Sequence, residues 1–158
     1  MASPHSATKV EHYVSHSPEE TIELGRLIAT KLSPPVLVLL LGDLGAGKTT
    51  LAKGLVAALG AAAPEEVTSP TFTLIHEYGR PGKDRCRVYH IDLYRIEDAR
   101  DLMTLGLDDM LAEKAVVLVE WGEKLGPALR RIAPGRSVVE IHLTAPSDTE
   151  RQIQVKME

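Results

Sequence analysis

The residues Gly42-Asp43-Leu44-Gly45-Ala46-Gly47-Lys48-Thr49 fit the spacing G-x-x-x-x-G-K-[ST], the signature of a loop that wraps a polyphosphate. Glycine at these positions lets backbone N–H groups approach phosphate oxygens that a side chain would shield. Lys48 supplies a cation for the outer phosphates, and the Thr49 hydroxyl is an oxygen donor for a magnesium ion. Gly45, Ala46, Gly47, Lys48, Thr49 and Thr50 are therefore the candidate nucleotide-binding residues. Two acids are candidates for the accompanying chemistry, Asp92 after Arg87-Val88-Tyr89-His90-Ile91 and Glu120 after Ala115-Val116-Val117-Leu118-Val119. Each ends an extended apolar segment. In open α/β sheets ligands gather at the carboxyl ends of the parallel strands, so an acid there holds a metal directly or through water, or orients the attacking water.

The elements that must position these groups follow from periodicity. Val36 to Leu41 is an unbroken apolar run that reads as a strand buried on both faces. After the loop, Leu51, Leu55, Ala58 and Leu59 recur at helical spacing. Upstream, Ser17-Pro18-Glu19-Glu20 predicts a capped helix start, with Leu24, Leu27, Ile28 and Leu32 as its apolar face and Pro34-Pro35 as its stop. Thr73–Tyr78 and Arg85–Asp92 flank a turn-rich stretch and predict a hairpin. Residues 97–111 read as mostly helical, 115–119 as a second buried strand, and 124–132 as a short helix. Two alternating strands close the chain, with Val139, Ile141 and Leu143 on one face, then Ile153, Val155 and Met157. The expected fold is a three-layer α/β domain of the phosphate-loop type, with a mixed, mainly parallel sheet and antiparallel edge strands. One domain is expected over residues 1–158, with 1–9 flexible.

Composition narrows the classes. Of 158 residues 44% are hydrophobic and 25% charged, ordinary for a globular domain. Cys86 is the only cysteine, which excludes an internal disulfide framework or a multi-cysteine zinc site. No apolar run approaches a membrane span, and Met1 to Thr8 lacks a signal-peptide core, so a cytoplasmic protein without a membrane partner is expected. A formal net charge of −4 argues against wrapping nucleic acid with the whole surface. The cluster Arg130-Arg131 and Arg136 is a local basic patch or a solvated helix end. Guanine recognition by an N-K-x-D box is impossible because the chain has no asparagine, which favours ATP over GTP and disfavours a switch GTPase. A small-molecule kinase is the main alternative, although the arginines are scattered rather than gathered in a lid. A scaffold that binds ATP without hydrolysing it is a third reading.

Four blocks carry a more specific message: the phosphate loop through Thr50, then Thr68-Ser69-Pro70-Thr71-Phe72, His90-Ile91-Asp92-Leu93-Tyr94-Arg95, and Val119-Glu120-Trp121-Gly122-Glu123. In this order they closely resemble the TsaE (formerly YjeE) family. The resemblance implies an ATPase, using ATP and Mg2+, that is required for threonylcarbamoyladenosine in tRNA and supports turnover of a TsaB–TsaD pair, reaching tRNA only indirectly. It further implies that Thr49 and Glu120 ligand magnesium, that Asp92 is needed for hydrolysis, and that Thr71 lies in a loop that responds to nucleotide. Gly122 stands where many relatives have proline. On their own, the remaining residues read two ways. Ser69-Pro70-Thr71 is a simple turn or part of the site, and Trp121 is a core residue or a cover for nucleotide or partner. His90 lies two residues before Asp92 and thus on the same strand face, where it orients that acid or packs. Arg95 pairs with an acid or contacts the TsaD-like partner.

Overall fold

The structure is a computed structural model that describes residues 8–43, 45–70, 75–79, 86–94, 96, 106–121 and 137–157. Its elements in chain order are β1 (Lys9–Ser15), α1 (Pro18–Ala29), β2 (Val36–Leu41), α2 (Lys48–Ala58), a 3-10 turn (Pro64–Glu66), β3 (Ile75–Tyr78), β4 (Arg87–Asp92), α3 (Leu107–Ala112), β5 (Ala115–Glu120), β6 (Ser137–Thr144) and β7 (Arg151–Met157). The strands form one sheet in the order β1-β7-β6-β2-β5-β4-β3. The pairs β6–β2, β2–β5 and β5–β4 are parallel, whereas β1–β7, β7–β6 and β4–β3 are antiparallel. The expected mixed sheet, parallel around the loop and antiparallel at its margins, is the one observed.

Strand parity explains how a run such as Val36-Leu37-Val38-Leu39-Leu40 is buried throughout. Val36, Val38 and Leu40 join Ile28 of α1 and Leu51, Leu55 and Val56 of α2 in one core. Leu37 and Leu39 join Leu107 and Leu111 of α3 in a second core on the opposite face. Successive side chains of a strand point to opposite faces, so a central strand covered on both sides must be apolar at every position. Three layers result.

The start of α1 follows its sequence signals. Ser17 Oγ accepts the Glu20 N–H at 3.1 Å, and Glu20 Oε1 accepts the His16 N–H at 3.1 Å, which satisfies two donors at the helix entrance. Ile28 is fully buried, but Leu27, expected on the apolar face, is 46% exposed. The face that packs includes Thr21 and Gly25 instead. A small residue is needed there because α1 lies so close to α2 that a Cβ on Gly25 would approach Leu51 O to 2.4 Å.

The hairpin is present as β3 and β4, with Ile75 opposite Ile91 and Tyr78 opposite Val88. Strand β1 was not expected. It starts at Lys9, the last residue of the 1–9 segment read as flexible, and pairs along its length with β7, Lys9 opposite Met157 and Ser15 opposite Arg151. The helix expected over 97–111 is described only in its last part, as α3. The helix expected over 124–132, the Arg130-Arg131 and Arg136 cluster, and Arg95, Gly122 and Glu123 lie outside the described residues. No helix of the described residues is long and apolar enough to cross a membrane.

Candidate functional site

The turn between β2 and α2 has the geometry that the glycine spacing predicts. Gly47 caps α2 at φ 101°, a left-handed conformation that a side-chain-bearing residue enters at a cost. Helix α2 then begins at Lys48, so its first N–H groups open toward the turn and the carboxyl ends of the parallel strands. Among residues that line a cavity of about 680 Å³ at this point are Gly45, Gly47, Lys48, Thr49 and Thr50. Ala46 is buried and faces a smaller neighbouring hollow with Asp43 and Leu143 instead.

Both strand-end acids reach the same cavity. Val88 of β4 and Val116 and Leu118 of β5 belong to the core on the α2 side, so parity sends His90, Asp92 and Glu120 to that side too. Asp92 lies directly opposite Glu120 in the parallel β4–β5 pairing. Thr49 Oγ1 is 3.3 Å from Glu120 Oε1, and the two acids share Ser69, whose hydroxyl lies 2.9 Å from Asp92 Oδ2 and 3.3 Å from Glu120 Oε2. Asp92 Oδ1 accepts the Tyr94 N–H at 2.8 Å. Both acids are only 3% exposed, and such burial is tolerated because donors surround the carboxylates.

Several positions differ from the sequence reading. Lys48, read from the sequence only as a cation for the outer phosphates, is 5% exposed and already engaged. Its ammonium donates to Gly42 O at 2.6 Å and lies 3.6 Å from the centroid of the Trp121 ring. Trp121 in turn stacks at a tilt on Tyr94, with centroids 5.1 Å apart. His90 does not meet Asp92 among the described contacts; its Nε2 is 2.6 Å from Glu120 Oε2. Thr71 lies outside the described residues.

Other lining residues carried no sequence signal for this role. His16, Ser17, Pro18 and Thr21 come from the entrance of α1, Asp148 and Thr149 from the β6–β7 turn, and Arg151 from the start of β7. The sheet order alone brings them there. Ser69 has a signal, its block between Thr68 and Phe72, but taken alone that block reads more readily as a simple turn.

The oxygen donors of Thr49, Ser69, Asp92 and Glu120 suit a hard cation such as magnesium, which takes one or two carboxylates and completes its shell with water and substrate phosphates. Among the described residues no three His, Cys, Asp or Glu side chains gather into a metal site.

A family model described as threonylcarbamoyl adenosine biosynthesis protein TsaE matches residues 15–153. The chain belongs to the TsaE family. A tRNA threonylcarbamoyladenosine biosynthesis protein TsaE of Treponema pallidum (strain Nichols) is 36% identical over 142 residues, covering 90% of this chain and 97% of that relative. One of Bacillus subtilis (strain 168) is 38% identical over 137 residues, 87% of this chain and 79% of the relative. The crystal structure of Bacillus subtilis YdiB aligns with a TM-score of 0.66 at 32% identity, covering 95% of this chain and 86% of that one. The TsaE family takes part in the biosynthesis of threonylcarbamoyladenosine in tRNA, and Lys48, Ser69, Asp92 and Glu120, one from each of the four sequence blocks of this chain, line the cavity.

Proposed function

We propose that this chain binds and hydrolyses ATP with Mg2+ and acts on the TsaB–TsaD pair to support turnover in threonylcarbamoyladenosine synthesis. The observation that carries this reading is the convergence of Lys48, Thr49, Asp92 and Glu120 on one cavity of about 680 Å³, a volume within the usual range for nucleotide-sized ligands. Backbone N–H groups from Gly45 to Thr50 cradle the phosphates, and the Lys48 ammonium exchanges its present partners for the outer phosphate oxygens. Thr49 and Glu120 hold magnesium, which when bound would neutralise charge on the β- and γ-phosphates. Asp92 sits one strand from Glu120 and orients the attacking water. Catalysis by this set is mostly positioning and electrostatics.

Turnover of the isolated protein is slow in this reading. Arg151, the arginine among the described lining residues, uses Nη1 on the carbonyls of Ser147 and Glu150 at 2.9 Å each, which anchors it beside its own turn. A stimulated rate then requires a protein partner to complete the site. With a net charge of −4 the protein reaches tRNA through its partners.

The test is a pull-down with the TsaB and TsaD proteins of the same cell, with and without ATP, together with depletion in vivo. Nucleotide-dependent capture and a fall in threonylcarbamoyladenosine in bulk tRNA are expected, with no rescue by Lys48→Ala. Normal levels of the modification in depleted cells with no second copy of the protein would overturn the proposal.

A further inference from the structure

We propose that His90 is the positioning residue of the Glu120 carboxylate and so sets the magnesium affinity of the Thr49–Glu120 pair. The inference rests on the reading above that Glu120 holds magnesium. His90 is fully buried in the middle of β4, between Tyr89 and Ile91. For packing alone a histidine is a poor choice there, since burying an imidazole costs free energy that valine or leucine would not. What it gains is one contact, Nε2 to Glu120 Oε2 at 2.6 Å, between side chains that are 0% and 4% exposed. A carboxylate has no hydrogen to give, so the ring nitrogen is the donor. The other ring nitrogen, Nδ1, is buried and has no hydrogen-bond partner among the described residues. All of the polar function of His90 in this fold is therefore directed at Glu120.

The consequence is an asymmetric carboxylate. Oε2 takes His90 at 2.6 Å and Ser69 at 3.3 Å, while Oε1 has Thr49 Oγ1 at 3.3 Å, a hydroxyl that also lies 3.5 Å from Oε2. Register makes this possible. His90 pairs with Leu118 across the parallel β4–β5 ladder, two residues before Glu120 and on the same face, so the ring leans along the strand onto Oε2. The acid is thereby held with one oxygen aimed at the helix that carries Thr49, before any cation arrives. Without that donor the carboxylate is free to turn, and hydrogen-bond partners of metal-binding carboxylates are known to govern affinity.

The test compares His90→Gln, His90→Asn and His90→Leu by titrating Mg2+ into protein with a fluorescent non-hydrolysable ATP analogue, and repeats the binding in EDTA. Glutamine places an amide N–H near the position of Nε2, whereas asparagine stops short of Glu120. The Asn and Leu variants are expected to need about tenfold more Mg2+ or beyond for half-maximal binding, with metal-free affinity unchanged. The Gln variant should stay close to the unsubstituted protein. Should the Leu variant fail to fold, the Asn and Gln pair carries the comparison, since both are polar and smaller than the imidazole. An unshifted Mg2+ midpoint in His90→Asn beside a shifted one in Glu120→Gln overturns the inference alone. Unshifted midpoints in both overturn the magnesium role of Glu120 and the inference with it. Equal loss in Mg2+ and in EDTA marks general damage to the site and also overturns the positioning role.

Discussion

The Lys48 ammonium lies 3.6 Å from the centroid of the Trp121 ring, and the backbone at Trp121 is held at φ 62° to put the ring there. A left-handed conformation costs a bulky residue about 1–2 kcal/mol, while a partly desolvated cation over an indole face returns about 0.5–2 kcal/mol. The two nearly cancel, so the contact is one that a phosphate can displace. Trp121 is the only tryptophan, and its emission therefore reports on this one site. Mg-ATP should change the intensity or maximum of that emission as the ammonium moves to the phosphates, and Lys48→Ala should change the spectrum without nucleotide. A constant spectrum through a titration in which calorimetry registers binding would show that Lys48 never leaves the ring.

The two strand-end acids are adjacent but differently engaged, and their variants should separate. Both meet Ser69, but Glu120 also meets Thr49 at the start of α2, whereas Asp92 meets the Tyr94 N–H. Asp92→Asn keeps an oxygen for the Tyr94 N–H, so the turn survives. Its ATP affinity should be largely retained while turnover falls by about 10²-fold or more, as expected when a positioned acid or base is lost. Glu120→Gln should raise the Mg2+ concentration needed for nucleotide binding. Single-turnover rates and Mg2+ titrations of both variants decide the matter, and exchanged phenotypes would mean exchanged roles.

Much of this site was legible in the sequence because local rules generate it. The loop, the helix start at Lys48 and the buried strands before Asp92 and Glu120 all follow from spacing and period. What stayed hidden depends on strand order. The pairing of His90 with Glu120 instead of Asp92 requires β4 beside β5 in a given register, and nothing within either strand encodes its neighbour. Likewise His16 and Arg151 are 135 positions apart and meet at the cavity only through the sheet. Strand β1 escaped for another reason. Val10 and Val14 are 42% and 51% exposed, so its apolar residues do not mark a buried face; pairing with β7 makes it a strand.

The α1–α2 contact offers a test of the fold that leaves the site chemistry alone. A Cβ on Gly54 would stand 2.0 Å from Ile22 O, and that atom is backbone, so relief requires the helices to part. Gly54→Ala gains helix propensity of about 1 kcal/mol at most, yet overpacking costs about 1–3 kcal/mol and occasionally more. A net loss of stability in urea unfolding is expected. A variant as stable as the parent would mean that the helices are less tightly crossed than the structure has them.

Strand β1 is fastened to the end of α1 by a small polar cluster with a definite pH signature. Glu11 accepts from the Lys31 ammonium and from the Tyr13 hydroxyl, and these two donors, lysine first, lower its carboxyl from 4.5 to about 2. The Lys31 ammonium is correspondingly pushed up by Glu11. A depressed carboxyl stabilises the fold above its unfolded value, and that stabilisation is lost as pH falls toward the folded value. Glu11→Gln should therefore melt at a lower temperature than the parent at neutral pH. The deficit should hold down to about pH 5 and shrink by about pH 3 as the parent itself loses the contribution. Glu11 and Lys31 remain 18% and 30% exposed, so added salt should narrow the gap at neutral pH as well. Thermal melts of both proteins across this range check the sign; a deficit of the same size at acid and neutral pH would assign the loss to packing of β1 rather than to the charge on Glu11.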